Sequence, residues 1–293
     1  MIGVVEAFSP TYAVARQKFL SACMAAGLRA QAHVHPLKGR EGEALAMDVA
    51  LDGAADAKHL LVVTSACHGV EGHCGSGVQV FALHDEEWRQ KAREAGVAVL
   101  YVHALNPHGF SHRRRVTHEN VDLNRNFFDF SRPLPVNSAY AELHDLLLPK
   151  AWPPTAQNQA AIEDWIATHG IRAYQTAVTA GQYQFADGMF FGGSAPTWSN
   201  ETFRRVLHEH GRAAQGLAWI DLHTGLGPNG HGERIFACKD DKAAYARANA
   251  WWGAEHAVTS TYDGSSTSAL LNGLMWNAIY EECPKAEFTA IAL

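Results

Sequence analysis

Two kinds of hydrophobic pattern alternate along the chain. Short apolar runs, continuous or alternating with polar residues, predict strands, and apolar residues recurring every three or four positions predict helices. The predicted strands are QAHVHPL, ALAMDVAL, HLLVVTSA, VAVLYVHAL, LAWIDLHTG and AEFTAIAL. The run HLLVVTSA is continuous and rich in β-branched residues, which is typical of a strand covered on both faces.

The helical patterns lie between these strands. The first predicted helix begins at Pro10, with Ser9 as its N-cap, and ends at Gly27. A second helix is predicted over VQVFALHDEEWRQKAREAG, ending at Gly96. Further helices are predicted over PTAQNQAAIEDWIATHG, NETFRRVLHEHGRAAQG and KAAYARANAWWGAEH. The succession of strand, loop, helix and strand predicts a crossover unit, and hence a single α/β domain over residues 1–293, with a mixed sheet between two layers of helices.

Composition narrows the class of protein. The chain has 293 residues, of which 47% are hydrophobic and 18% charged, as in an ordinary globular protein. The net charge of −6 argues against nucleic acid as the main partner. Since no apolar run approaches ~20 residues and the start resembles no secretory signal, we expect no membrane partner. The five cysteines are widely spaced and odd in number, which predicts reduced thiols and a cytoplasmic protein.

The stretch SACHGVEGHCGSG, residues 65–77, concentrates potential metal ligands. His68 and Glu71 stand three apart, directly after the predicted strand HLLVVTSA, where open α/β sheets bind ligands. A histidine and a carboxylate supply two of the three protein ligands of a hydrolytic zinc site. The glycines predict a tight loop that lets the two side chains converge. The competing ligands in this stretch are His73, Cys67 and Cys74, and Cys67 is also interpreted as a small buried apolar residue.

A further histidine follows another predicted strand. His223 ends LAWIDLHTG, with Asp221 two residues before it on the same strand face. Both residues are also consistent with a core-facing role satisfied by backbone, and a lone histidine such as His223 is more often structural than a ligand. Together with His68 and Glu71 at the same sheet edge, His223 completes a His–Glu–His set.

Arginines cluster in NPHGFSHRRRVTHENVDLNRNF, residues 106–127. Three stand consecutively at positions 113–115, and Arg125 follows Asn124. One interpretation is a solvated basic face. The other is a clamp, because guanidinium groups bind carboxylates bidentately and an adjacent amide completes the recognition.

Three motifs together resemble those of the zinc carboxypeptidase clan. In chain order they are HGVEG after a strand, NP…RR…DLNRNF, and IDLHTG. The resemblance runs from about residue 60 to the C-terminus. It is closest to the succinylglutamate desuccinylase/aspartoacylase branch and to uncharacterised bacterial carboxypeptidase-like proteins. It implies a zinc carboxypeptidase-like three-layer α/β/α sandwich. By position, it implies that His68, Glu71 and His223 bind Zn²⁺, and that Asp122 orients the first zinc histidine.

The resemblance also implies substrate-binding residues. Asn124 and Arg125 match the pair that binds a substrate carboxylate. Arg115 matches the arginine that polarises the scissile carbonyl, with Arg114 as the alternative in that register. The clan's general base is a glutamate at or just beyond the end of a late strand, which AEFTAIAL resembles.

The sequence given ends at Leu293, before such a glutamate. Glu281, Glu282 and Glu287 precede or begin this strand and are poor substitutes. We therefore expect either a shortened form or a different base. In a shortened form the strand still pairs in the sheet, with Leu293 about 10 Å from the zinc ligands.

The favoured function is that of a zinc metallocarboxypeptidase acting on a small peptide with a free carboxylate. The first alternative is an N-acyl-amino-acid deacylase of the aspartoacylase type. The second is a zinc-binding protein without hydrolytic activity, because the glutamate base is not seen. The third is a domain that binds some other anion and in which the histidines are incidental.

Overall fold

A mixed β-sheet forms the centre of the protein. The computed structural model describes residues 2–254 and 256–293. The strands are β1 Ala30–Lys38, β2 Ala44–Asp52, β3 His59–Ser65, β4 Val97–His103, β5 Gly216–Leu222, β6 Ile235–Phe236 and β7 Glu287–Ala292. Across the described sheet their order is β1-β2-β4-β3-β5-β7-β6. Strand β3 pairs in parallel with β4 and β5, and β5 pairs in parallel with β7, while the other pairs are antiparallel.

Helices cover both faces of this sheet. They are α1 Val4–Ala7, α2 Tyr12–Ala25, α3 Gly72–His84, α4 Glu86–Glu94, α5 Pro107–His112, α6 Ser138–Leu147, α7 Ala156–His169, α8 Ile171–Thr179, α9 Trp198–Gly211, α10 Lys242–Trp252 and α11 Asn277–Glu282. Two short 3-10 turns, Gly69–Glu71 and Leu123–Arg125, precede α3 and α6.

Consecutive residues of β3 belong to two separate cores. Val62 packs in a cluster with Phe203 of α9, on one face of the sheet. Val63 packs in a second cluster with Phe19 of α2, on the opposite face. This period of two, with both faces buried, explains the continuous apolar run of the sequence. The three-layer α/β/α prediction is confirmed.

All six predicted strands are present, and β3 lies between β4 and β5 at the centre of the sheet, as its composition predicted. Strand β6 was missed because two residues are too short to show a pattern. Parallel pairing brings the carboxyl ends of β3, β4, β5 and β7 to one edge.

Two helices were predicted with wrong bounds. The first helix begins at Tyr12, because the side chain of Thr11 caps it by accepting from the Val14 amide at 3.3 Å. Ser9 and Pro10 therefore lie outside that helix.

The predicted helix over residues 78–96 is broken at Asp85. Asp85 has non-helical backbone angles (φ −88°, ψ 93°), and its side chain accepts from the Trp88 amide at 3.0 Å. It therefore ends α3 and caps α4.

The glycine-rich stretch after β3 is mostly helical, not the loop that was predicted. Helix α3 begins at Gly72. A Cβ atom on Gly75 would lie 2.7 Å from Cβ of Ser65 in β3. Here glycine allows a helix to pack closely on a strand.

All five cysteines are free thiols, as predicted. Among the described helices, none combines the length and apolarity needed to cross a bilayer.

Candidate metal centre

The candidate metal centre lies where β3 and β5 end. These strands are parallel neighbours, with Ser65 opposite Leu222. The segments that follow them therefore emerge at the same edge of the sheet. His68 is the N-cap of the Gly69–Glu71 turn after β3, and His223 follows β5 directly.

Two imidazoles and one carboxylate converge at this edge. Nδ1 of His68 and Nδ1 of His223 are 3.3 Å apart. Oε1 of Glu71 lies 3.3 Å from Nδ1 of His68, and Oε2 lies 3.2 Å from Nδ1 of His223. The three candidate ligand atoms are within 4.8 Å of one another. The structure thus brings together the His–Glu–His set proposed from the sequence.

A carboxylate holds the outer nitrogen of each imidazole. Nε2 of His68 lies 3.2 Å from Oδ1 of Asp122, and Nε2 of His223 lies 2.7 Å from Oδ2 of Asp221. Asp221 is itself fixed, because its Oδ1 accepts from the Thr64 hydroxyl at 2.5 Å. Carboxylates in this position fix the ring orientation and keep the proton on Nε2, which leaves Nδ1 free to bind a metal.

The acceptors at this point suit a positive charge. With Nε2 protonated on both rings, the two Nδ1 atoms and the Glu71 oxygens face one another as acceptors, so a proton or a metal ion between them is stabilised. Burial alone lowers the pKa of His223, but Asp221 and Glu71 outweigh it and raise that pKa to about 10. Burial opposes ionisation of Glu71, but hydrogen bonds from His223 and His68 hold its pKa well below the usual range. Two imidazole nitrogens and a carboxylate are a donor set that suits Zn²⁺, so these residues fit the ion.

The competing ligands are less suitable. Cys67 forms an alternative group with Asp221 and His223. However, Cys67 is fully buried, and burial raises the pKa of its thiol well above the ordinary value, which disfavours the metal-binding thiolate. Nδ1 of His73 lies 3.0 Å from the Ser9 carbonyl. Burial also raises the pKa of the Cys74 thiol.

Backbone hydrogen bonds join the loop that carries His68 and Glu71 to residues 114–115. The Gly69 amide donates to the Arg115 carbonyl at 3.1 Å, and the Val70 amide donates to the Arg114 carbonyl at 3.0 Å. A Cβ atom on Gly69 would lie 2.1 Å from the carbonyl carbon of Gly109 in α5, so only glycine allows this approach.

Of the two candidate arginines, Arg115 lies at the centre. Its Nε donates to Oδ2 of Asp122 at 2.9 Å, and its Nη1 is 3.9 Å from Oε1 of Glu71. Burial alone would raise the pKa of Asp122, but Arg115 and Arg125 outweigh it and hold that pKa well below the usual range. Arg114 is exposed, and its Nη2 donates to Oδ1 of Asn120 at 3.3 Å.

Asn124 and Arg125 lie on the second 3-10 turn, which Asp122 caps by accepting from the Asn124 amide at 3.0 Å. Arg125 is only 2% exposed. Its Nε and Nη2 donate to the Thr179 carbonyl at 3.0 and 2.7 Å, and its Nη1 donates to the Asn124 carbonyl at 2.8 Å. Burial lowers the pKa of Arg125 from its ordinary value. This arginine is therefore more deeply enclosed than the motif alone indicated.

The final strand reaches the same edge. The Leu293 amide donates to the Asp221 carbonyl at 2.9 Å, and the His223 amide donates to the Leu293 carbonyl at 2.8 Å. The expectation that Leu293 lies near the candidate ligands is confirmed.

Sequence reasoning missed two residues of this region. The sequence places Asp221 on the same strand face as His223 but does not show that its carboxylate holds the His223 ring. Phe190 is the other residue, and its ring lies 5.0 Å from Cζ of Arg115. No local pattern marks this aromatic residue, because its partner is distant in the chain.

The sequence matches, over residues 8–293, the protein family described as "Protein of unknown function (DUF2817)". The chain belongs to the DUF2817 family. A comparison with curated proteins gives no match for this DUF2817 protein.

Solved structures show the fold of this DUF2817 protein. Carboxypeptidase A from Helicoverpa armigera has a TM-score of 0.56 at 11% identity, over 96% of this chain and 64% of that chain. Bovine thrombin-activatable fibrinolysis inhibitor, in complex with tick carboxypeptidase inhibitor, has a TM-score of 0.55 at 11% identity, over 98% and 86% of the two chains. The DUF2817 chain thus spans less than two thirds of the length of the H. armigera chain. The predicted carboxypeptidase-like fold is confirmed.

A succinylglutamate desuccinylase/aspartoacylase from Rhodobacter sphaeroides also matches the DUF2817 protein. Its TM-score is 0.37 at 12% identity, over 90% of this chain and 56% of that chain.

Proposed function

We propose that this DUF2817 protein is a zinc-dependent hydrolase that cleaves an amide bond in a carboxylate-bearing substrate, with metallocarboxypeptidase as the first candidate. The observation that carries the proposal is the convergence of Nδ1 of His68, Nδ1 of His223 and the Glu71 carboxylate. The fold shared with a carboxypeptidase A supports it. The proposal treats residues 1–293 as one catalytic domain that works in the cytoplasm.

His68, Glu71 and His223 would hold the zinc ion. When bound, zinc supplies a Lewis acid for the scissile carbonyl and lowers the pKa of an attacking water. Asp122 and Asp221 keep the two Nδ1 atoms aimed at one point. The Thr224 amide donates to Oε2 of Glu71 at 2.9 Å and fixes that carboxylate.

Arg115 would stabilise the negative charge that develops on the carbonyl oxygen. Its guanidinium is anchored by Asp122 through Nε, while its Nη1 extends toward Glu71. The side chain is 36% exposed, so substrate can reach its remaining N–H groups. A well-placed donor of this kind contributes roughly 3–4 kcal/mol to transition-state binding.

Asn124 and Arg125 would hold the substrate carboxylate. Oδ1 of Asn124 accepts from the Met275 amide at 3.0 Å, which leaves its NH₂ group as the donor for substrate. Backbone carbonyls occupy three N–H groups of Arg125, and two of its five remain. Held in this way, the carboxylate would place the amide bond beside the metal centre.

The carboxylates in the described part of the site already orient other groups. Glu71 accepts from the Thr224 amide, Asp122 pairs with His68 and Arg115, and Asp221 pairs with His223 and Thr64. Each serves to orient a partner, so the base would come from outside this set. This observation keeps a zinc-binding protein without hydrolytic activity as the second candidate.

Metal analysis of the purified protein tests whether these residues bind zinc. We expect close to one zinc per chain, and loss of that zinc in His68→Ala and His223→Ala. His73→Ala is the matched control, because His73 lies near the same loop but bonds to the Ser9 carbonyl. Full zinc in both ligand variants would overturn the assignment of these residues.

Assays with short peptides and N-acyl amino acids test the hydrolytic activity and its substrate class. Cleavage of peptides supports the carboxypeptidase, whereas cleavage of N-acyl amino acids alone supports the deacylase. Arg125→Ala should mainly raise KM, because it binds substrate and transition state alike, and Arg115→Ala should mainly lower kcat. Zinc binding without turnover of either class would favour the second candidate.

A further inference from the structure

One aromatic ring lies against both arginines of the candidate site. The centroid of the Phe190 ring is 5.0 Å from Cζ of Arg115 and 5.6 Å from Cζ of Arg125. Both distances fall within the range of about 6 Å in which a ring face attracts a cation. Phe190 is partly buried, so this attraction is less screened by water than at an exposed site.

The backbone of Phe190 is in an unusual conformation. Its φ is +52°, in the left-handed region that bulky residues seldom adopt. Such a conformation costs free energy and persists only where the surroundings impose it, and it occurs most often at functional sites. The adjacent Phe191 carbonyl accepts from the Asp122 amide at 2.8 Å. The backbone next to Phe190 is thereby bonded to the backbone of Asp122, whose carboxylate anchors Arg115 and His68.

The segment 182–192, here called the Phe190 loop, is fastened along its length. Gln182 is fully buried, donates through Nε2 to the Phe185 carbonyl at 2.8 Å, and accepts from the Phe185 amide at 2.8 Å. The Met189 amide donates to the Tyr140 hydroxyl at 2.6 Å. The ring of Phe190 is therefore carried on a rigid support.

Two like charges need such a support. Arg115 and Arg125 both lie near Asp122, and Oε1 of Glu71 is 3.9 Å from Nη1 of Arg115. The buried guanidinium of Arg125 donates to backbone carbonyls, which carry no net charge. The π face of Phe190 supplies further negative potential to both guanidiniums. Without the ring, repulsion between the two cations would favour their separation.

We propose that Phe190 is a positioning residue that fixes Arg115 and Arg125 relative to each other, so that one substrate can engage both. This inference rests on the proposed function for the roles of the two arginines. The geometric part, that the ring holds both guanidiniums, is independent of any activity.

The test compares Phe190→Leu with Phe190→Tyr in the full chain. Leucine keeps much of the volume but removes the ring face, whereas tyrosine keeps the ring. Phe185→Leu is the matched control, because Phe185 lies on the same loop but stacks on His144 with centroids 4.0 Å apart. Zinc content and thermal unfolding of each variant establish that the site has formed.

The first readout is the NMR chemical shift of the Arg115 and Arg125 Nε–H groups, assigned with Arg115→Lys and Arg125→Lys. Both signals should move in Phe190→Leu, because the ring current is lost and the side chains shift, and should move much less in Phe185→Leu. The second readout is hydrolysis. Phe190→Leu should lower kcat/KM about 10-fold or more through both kcat and KM, and Phe190→Tyr should stay within about 3-fold of the wild type.

Spectra and kinetics of Phe190→Leu that match the wild type would overturn the inference, as would an equal loss in Phe185→Leu. If no substrate of either class is hydrolysed, the proposed function fails, and the Nε–H signals alone then decide the role of Phe190.

Discussion

Each histidine of the candidate site depends on a carboxylate behind it. The contact between Asp221 and His223, at 2.7 Å, is shorter than the 3.2 Å contact between Asp122 and His68. Besides its histidine, Asp221 bonds the neutral Thr64 hydroxyl, whereas Asp122 bonds the charged guanidinium of Arg115. Asp221 is therefore the cleaner residue with which to test how the outer hydrogen bond tunes the metal centre.

Asp221→Asn should weaken zinc binding by about 10- to 100-fold, the usual effect of losing a carboxylate behind a metal-binding histidine. The amide is isosteric but uncharged, so it supports the Nε2 proton less well. Competition with a chromophoric chelator would measure the affinity. The control is Asp56→Asn, an exposed aspartate in the turn between β2 and β3. An affinity for Asp221→Asn equal to that of the control would contradict the role.

The sequence predicted which residues form the candidate site better than it predicted their contacts. His68 and Glu71 could be paired because both lie in one short loop after a strand. Their convergence with His223 spans 155 positions, and it could be inferred because both strands end at the same edge. The enclosure of Arg125 beneath the Thr179 carbonyl could not be inferred, since it depends on the position of α8.

Helix α5 packs very closely on the turn Gly69–Glu71. Gly69 approaches Gly109 so nearly that a Cβ atom would lie 2.1 Å from backbone carbon. The backbone of α5 cannot move aside without disturbing Arg114 and Arg115, whose carbonyls accept from this loop. A side chain at position 69 would therefore displace the turn that carries Glu71.

Gly69→Ala should lower the free energy of unfolding by about 1–3 kcal/mol, the usual cost of overpacking, and weaken zinc binding as well. Denaturant unfolding and chelator competition would measure the two effects. Gly39→Ala is the matched control: its Cβ would also come within 2.1 Å of an atom, but that atom belongs to the flexible Glu43 side chain. Equal losses in both variants would show that the close approach at Gly69 has no special effect.

Element boundaries were predicted less well than element types. The break at Asp85 divides what reads as one amphipathic helix, because a side-chain cap can begin a new helix where the hydrophobic pattern continues. The start of α3 at Gly72 was hidden by glycines that favour a loop locally. Close packing on β3, a tertiary effect, outweighs that local preference.

Across the whole molecule, buried histidines make stability depend on pH. His103 is fully buried at the end of β4, where its Nε2 lies 2.9 Å from the Ser76 hydroxyl. Burial lowers its pKa from 6.5 to about 4. Between these two pH values His103 is protonated in the unfolded chain but neutral in the folded protein. The folded state therefore loses stability as the pH falls from 6.5 to about 4.

His103→Gln should reduce the slope of the free energy of unfolding against pH by up to about 1.4 kcal/mol per pH unit, the contribution of one proton. Glutamine does not titrate and can still pair with Ser76. Denaturant unfolding at several pH values would measure the slope. His169→Gln, on the exposed surface of α7, controls for the loss of a histidine as such. The same slope in His103→Gln and wild type would contradict the assignment.

A metal held between β3 and β5 should stabilise the whole fold, because it binds the folded protein and not the unfolded chain. An ion present at 1,000 times its Kd contributes about 4 kcal/mol. In a chain of this size that amount corresponds to roughly 10 °C in Tm. Treatment with a chelator should therefore lower the Tm of the wild type by about that amount, and added zinc should restore it. His68→Ala should start from the lower Tm and respond to neither, because it lacks the site. If the chelator lowers the Tm of His68→Ala as far as that of the wild type, the stabilising ion lies elsewhere in the protein.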